Sequence, residues 1–238
     1  MTTVAEILSA AARQCSVTAP TNWATATEQT HVELRDDFMV QVVDDCLQRG
    51  EWPGPIGKTV TISGTGVEGY SLPGNFLRLK RDDLAVYERQ RTRRACVPVS
   101  TDGEWLYMQE LGTAGAYRFY RTRGYEGAFS MDFYRPLEPG IEVVVSYVSN
   151  RWIVNGAEKA TFTDLGDVSM LPRRLVESGI VWRFRERRGL PFSDKMAEFE
   201  ALLARYANDR LARRRIDFGP REVRAPFDVP VPDVIPQG

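Results

Sequence analysis

Apolar positions at the start of the chain recur every three or four residues. Val4, Ile7, Leu8, Ala11 and Cys15 form one stripe, the spacing of an amphipathic α-helix. Thr3-x-x-Glu6 sets a capping box at its N-terminus. After a loop with Pro20 and Trp23, a second helix is expected from about residue 27 to 49. His31, Arg35, Phe38, Met39, Val42 and Cys46 would share one face and Glu33, Asp37 and Asp44 the other. Gly50 and Pro53 end it.

Between residue 58 and about 149 the period falls to two. Residues 59–62, 76–79, 84–87, 105–108, 117–120, 129–134 and 143–148 read as short strands. Turn signals separate them, among them Ser63-Gly64, Pro73-Gly74-Asn75, Asp102-Gly103 and Pro139-Gly140. This texture predicts an antiparallel sandwich or small barrel. Nothing in it suggests the strand–helix alternation of a parallel α/β fold.

Helical spacing returns near Leu171, where Leu175, Val176, Gly179, Ile180 and Phe184 form an apolar arc. Arg174, Glu177, Arg185 and Arg188 fall together on the outside. Gly189-Leu190-Pro191 breaks the chain, and Ser193 caps a last helix reaching Arg215, with Met196, Phe199, Leu203 and Tyr206 as its inner stripe. The expected fold class is α+β. Residues 1–56 and 150–215 would form a helical bundle, with an antiparallel β domain, residues 57–149, inserted between them.

Residues 216–238 break every pattern before them. Pro220, Pro226, Pro230, Pro232 and Pro236 alternate with Phe218, Phe227, Val229, Val231, Val234 and Ile235. Repeated proline forbids helix and removes backbone donors, so an extended segment is expected. Solvated tails are usually polar; an apolar, proline-spaced tail implies docking on another surface through those six side chains.

Charge sharpens the picture. The formal net charge is −1, yet residues 173–224 hold 14 basic residues against 8 acidic. The basic side chains are nearly all arginine, whose planar fork suits paired interfaces and phosphates better than lysine. Cys15, Cys46 and Cys96 are odd in number, widely spaced and partly on apolar stripes, which predicts free buried thiols. No secretion signal is expected at the N-terminus, and no apolar run approaches the ~20 residues of a membrane span. A reducing cytoplasm is the expected site of synthesis.

Candidate chemistry fails at each point. Gly64-x-Gly66-x-x-Gly69 follows an expected strand, but a dinucleotide fingerprint must open into a helix, and Tyr70-Ser71-Leu72-Pro73-Gly74 reads as strand and turn. A hairpin loop is the simpler expectation. Gly57-Lys58-Thr59 lacks the earlier P-loop glycine, since Trp52 stands there. His31 is the one histidine, which removes catalytic triads and mixed His/Cys metal sites. Pairs among the 32 carboxylates remain open for glycoside hydrolysis, with none singled out. No catalytic, cofactor or metal site is expected. The arginines at 205, 210, 213, 214 and 215 leave contact with nucleic acid as a second possibility.

The segment Tyr70-Ser71-Leu72-Pro73-Gly74-Asn75-Phe76-Leu77-Arg78-Leu79 resembles one in head-to-tail adaptor proteins of short-tailed bacteriophages. Leu171-Pro172-x-x-Leu175-Val176-x-x-Gly179-x-x-x-Arg183, then Arg188-Gly189-Leu190 and the Phe199-Glu200 helix, is similar to that family's C-terminal hairpin. The helix pair ending at Gly50 and Trp52 is also family-like. The resemblance implies a structural, non-enzymatic homo-oligomer, normally a ring of twelve, at the head–tail junction of a virion assembled in the host cytoplasm. Such a ring lies under the portal protein, meets the tail nozzle or tail tube protein, and lets double-stranded DNA pass. Phe218, Phe227, Val229, Val231, Val234 and Ile235 would dock on portal or neighbour, and Arg174, Glu177, Arg185 and Arg188 would lie at subunit interfaces. Some relatives degrade peptidoglycan, but no residue of this chain carries that activity over. The alternatives are a nucleic-acid-binding module built on the basic C-terminal helices and a peptidoglycan hydrolase.

Overall fold

Thr3 accepts from the Glu6 amide while the Glu6 carboxylate accepts from the Thr3 amide, closing the capping box that starts α1 (Val4–Gln14). The structure, a computed structural model, describes residues 2–82, 84–89, 94–112, 117–125 and 127–208. The expected tail and the last turns of the expected final helix therefore lie outside the described residues.

A second helical rod is made of α2 (Gln29–Val32), a π-helical segment (Glu33–Phe38) and α3 (Met39–Arg49). The π segment corrects the expected faces. Its wider turn slips the helical phase, so Glu33 and Leu34 turn inward beside Phe38 and only Asp44 of the expected outer trio is fully exposed. It also presents Arg35 to the preceding loop, where Nη1 donates to the carbonyls of Trp23, Ala24 and Ala26 at 2.7–3.3 Å. Beside it, buried His31 lies 2.8 Å from the Thr18 carbonyl.

Three sheets follow. The first pairs β1 (Gly57–Ser63) with β8 (Glu142–Ser149), whose other edge takes β3 (Phe76–Leu79) and β4 (Val86–Glu88) in succession. The second has the order β2 (Gly69–Ser71), β7 (Ser130–Phe133), β6 (Phe119–Arg123), β5 (Val97–Pro98). A small third sheet, which the sequence reading did not foresee, joins β9 (Ile153–Asn155) to β10 (Ala157–Lys159) and β11 (Val168–Ser169). The protein is thus α+β.

Two expectations for the middle of the chain are corrected. Residues 105–108 are not a strand but part of α4 (Asp102–Leu111), capped by Thr101, which accepts from the Glu104 amide. The cap outweighs the apolar run Trp105-Leu106-Tyr107-Met108. Trp105 turns inward beneath the Arg121 guanidinium, 4.2 Å away, while Leu106 and Tyr107 remain exposed. This helix then carries the chain from β5 to β6 in parallel, since parallel neighbours need a crossover of this length. Every other strand pair among the described residues is antiparallel.

The chain closes, within the described residues, on α5 (Arg173–Arg187) and α6 (Ser193–Asn208), joined by a turn through Gly189 at φ 67°. Ser193 is the first helical residue rather than the cap, and Met196 is exposed. Phe199, Leu203 and Ala207 form the buried stripe instead.

The apolar side chains segregate into two clusters. One gathers α1, the rod and α5–α6 around Trp23, Phe38, Val42, Ile180 and Phe199, with Trp152 and Ile153. The other lies between the two larger sheets around Phe76, Met131, Phe133, Leu137 and Tyr147. Strand β8 serves both, placing Val143, Val145 and Tyr147 in the second and Val148 in the first.

Gly179 marks the tightest approach in the helical cluster. A Cβ there would lie 2.5 Å from a methyl of Val42 and 3.1 Å from the Phe199 ring. Val42 and Phe199 are fully buried and cannot swing aside. A Gly179→Val substitution is expected to cost about 3 kcal/mol through overpacking, read as a drop in the urea midpoint. A midpoint unchanged from wild type would show that the helices can separate freely here.

Candidate interaction surfaces

Helix α5 carries arginine at five positions, with Arg188 just past its end, because it packs through one strip of its surface and edges that strip with cations. Among the described residues, most of those cations find carboxylates of the same chain. Arg183 pairs with Asp45 and donates to Gln41, and Arg188 meets Glu33 at 3.3 Å. Arg187 lies 4.0 Å from Asp37 and 5.8 Å above the Phe38 ring. One helix further on, Arg49 and Glu200 form a two-pronged pair. Together they make an ionic seam where α5 and α6 meet the rod.

The four residues expected on an outward face divide. Arg174 is exposed and has no ion pair among the described residues. Glu177 is buried, which corrects its outward placement: it accepts from Arg173 Nε at 2.5 Å, one helical turn away. Arg185 reaches Asp194 across the α5–α6 turn at 3.4 Å. Arg188 is exposed yet already engaged with Glu33. The sequence could not show this, because the partners of Arg183 and Arg188 lie 138 and 155 residues away. Phe218, Phe227, Val229, Val231, Val234 and Ile235, the six docking residues, lie outside the described residues.

Two side chains acquire roles that the sequence reading did not assign. Arg78, on β3, donates to the Leu47 and Gly50 carbonyls at 3.0 and 2.6 Å and to Glu51 at 2.8 Å, so a strand residue caps α3. Asp167, just before β11, is fully buried beside the small third sheet and collects five donor contacts from Asn155, Lys159, Thr163 and Asp164. Its backbone carbonyl accepts from the Val4 amide, fastening the start of α1.

The nucleotide-like motifs sit in unsuitable geometry. Gly64 and Gly66 belong to a loop from one sheet to another, rather than the expected hairpin, and Gly69 opens strand β2. Gly57-Lys58-Thr59 opens β1, with Lys58 bound to Glu158 at 2.6 Å. Cys46 and Cys96 are buried, Cys15 half-buried, and all three are free. Burial pushes the Cys15 thiol up to about 11 and those of Cys46 and Cys96 to about 12, leaving them protonated at neutral pH. Among the described residues no group of three or more His, Cys, Asp or Glu side chains is placed to hold a metal. No helix there is long and apolar enough to cross a membrane.

No protein-family model matches the chain, and no curated protein matches it.

Proposed function

We propose that this protein is a structural head-to-tail adaptor of a short-tailed bacteriophage. It would form a ring, normally of twelve copies, under the portal, extend the DNA channel and dock the tail nozzle. Residues 1–56 and 150–215 are taken as one helical domain and 57–149 as its β insert, with the two apolar clusters as support.

The observation that carries the proposal is the joint between those clusters. It falls in the segment that resembles the adaptors, where Arg78 of Phe76-Leu77-Arg78-Leu79 closes the C-terminal end of α3. A ring subunit under load during DNA passage needs its two bodies coupled, and a forked, shielded arginine does this. The ionic seam fits as well. A channel component must let DNA slide, and arginines already matched to carboxylates grip phosphate weakly. For the same reason α5 offers little to the alternative of a nucleic-acid-binding module; Arg210, Arg213, Arg214 and Arg215, on which that alternative also draws, lie outside the described residues. Of the four interface candidates, Arg174 has no ion pair among the described residues and can meet a neighbour's carboxylate. A peptidoglycan hydrolase would need a carboxylate pair set apart by its surroundings, and among the described residues no pair is singled out in that way.

The tail supplies the docking device in this proposal. At ~3.1 Å per residue in a polyproline-like conformation, residues 216–238 reach about 70 Å. Each large apolar side chain fully buried on a partner contributes roughly 1.5–3 kcal/mol, and twelve tails on one ring act together. Deleting residues 217–238 is expected to leave a soluble protein with unchanged circular dichroism that no longer co-sediments with portal rings. Infectious particles assembled from the truncated protein would exclude the docking role.

A further inference from the structure

At the turn between α5 and α6 the surface closes into a concavity of about 300 Å³, the lower end of the ~300–1,000 Å³ usual for ligand sites. Cys15 and Ser16, at the end of α1, form one wall; Phe184, Arg185, Leu190 and Pro191 form the other. Leu190 is 49% exposed, an apolar side chain only half covered by the described residues. Arg185 is the cation of the site, and its hold on Asp194 is long, at 3.4–3.5 Å through Nη1 alone. Among the described residues its other guanidinium donors have no hydrogen-bond partner. Such a site suits an extended apolar segment bearing a carboxylate.

The chain owns a segment of that chemistry. Residues 209–224 carry six arginines, but residues 225–238 carry none. They hold Asp228 and Asp233 among Phe227, Val229, Val231, Val234, Ile235 and four prolines. Charge therefore divides the tail into a basic approach and an acidic, apolar end. Helix α6 leaves the concavity and runs 16 residues, about 24 Å. Were that helix to run on to Arg215, as the sequence predicts, it would reach about 35 Å; residues 216–227, extended at ~3.1 Å each, would span about 37 Å and could return to it. A tether of this length supplies an effective concentration on the order of millimolar, so a weak intrinsic affinity suffices.

We propose that, in the free protein, residues 225–238 dock into the α1/α5–α6 concavity of their own chain. Asp228 or Asp233 sets its carboxylate on Arg185, and a neighbouring valine or proline covers Phe184, Leu190 and Pro191. The apolar tail is then sheltered until a partner with a better groove takes it. The inference rests on the tail being a docking segment, but not on the ring or the portal, and its test needs neither.

Methyl-labelled leucine in the full-length protein reads the site through Leu190, with buried Leu137 as reference. In the D228K/D233K variant the Leu190 methyl signals are expected to move while those of Leu137 stay. A free peptide of residues 225–238 at millimolar concentration should return them toward wild type. Asp217→Lys, a charge change outside the docking segment, should leave them in place. A tenfold dilution of the wild-type protein should change nothing, because the contact lies within one chain. Leu190 signals indifferent to D228K/D233K would overturn the docking, and signals that move on dilution would assign the site to another copy's tail.

Discussion

An Arg78→Ala protein is expected to lose about 3–5 kcal/mol of stability, the cost of stripping one partner from a shielded ion pair. Arg78 and Glu51 keep only 14% and 12% of their side-chain surface exposed. The guanidinium also serves the Leu47 and Gly50 carbonyls at the end of α3, and Arg81 adds a bond to Gln48. These are groups that a helix C-terminus leaves without partners, at the negative end of its dipole. Truncation strands the Leu47 and Gly50 carbonyls and leaves Glu51 without its cation, held by the Arg81 amide at 3.2 Å. Arg78→Lys keeps the charge but not the fork, so it should recover less than half of the loss. Urea unfolding followed by tryptophan fluorescence and circular dichroism measures both. Arg78 also bridges the two apolar clusters, so the alanine protein should show the two probes separating, where the wild type gives one transition. A loss under 1 kcal/mol with coincident probes would mean that β8 alone couples the clusters.

The parts of this fold governed by local rules could be read from the sequence. Thr3-x-x-Glu6 predicts its own capping box, because both partners lie within one turn. The apolar arcs of α1 and α5 follow from burial on a 3.6-residue period, and Gly50 ends α3 where expected. Phase was lost where the backbone departs from that period. The π-helical segment turns Glu33 inward, and no residue type announces such a turn. In α4, Trp105-Leu106-Tyr107-Met108 fits either period, and Thr101 three residues before Glu104 was the deciding signal. Asn155-Gly156 is among the strongest local hairpin signals and marks the overlooked turn between β9 and β10.

The interaction surfaces were less legible than the fold, for a physical reason. An arginine's sequence neighbourhood does not say which carboxylate the tertiary structure brings to it. Arg49 and Glu200 stand 151 residues apart, and their meeting depends on how α3 and α6 pack. Exposure alone misleads in the same way, since Arg187 and Arg188 are exposed and yet matched to carboxylates. Arg174, on the same helix, is exposed without such a match. Which arginines remain for a partner is thus a property of the folded surface.

Asp167→Ala is expected to cost about 3–5 kcal/mol, because it leaves Lys159 and the Thr163 and Asp164 amides facing a void. Burial alone would raise the carboxyl's pKa. The Lys159 ammonium and the amide bonds of Thr163, Asp164 and Asn155 outweigh it and hold the group down at about 2. An unfolded chain titrates the same carboxyl near ~3.9. The folded value is the lower one, so the ionised group stabilises the protein fully above about pH 4. That contribution, roughly 2–3 kcal/mol, fades as the pH falls through about 2. Wild-type stability should therefore show an acid limb between about pH 4 and 2, part of which is missing in Asp167→Ala and Asp167→Asn. The asparagine keeps the shape and some acceptors, so its loss at neutral pH should be smaller than the alanine's. Hydrogen exchange locates the damage. The Asp167 carbonyl holds the Val4 amide, and Ser169 donates to the Thr2 carbonyl, so protection should fall first at Val4 and Ser169 and spread along α1. Equal protection at those amides in Asp167→Ala and wild type, with matching acid limbs, would show that the small third sheet holds the N-terminus without its buried carboxylate.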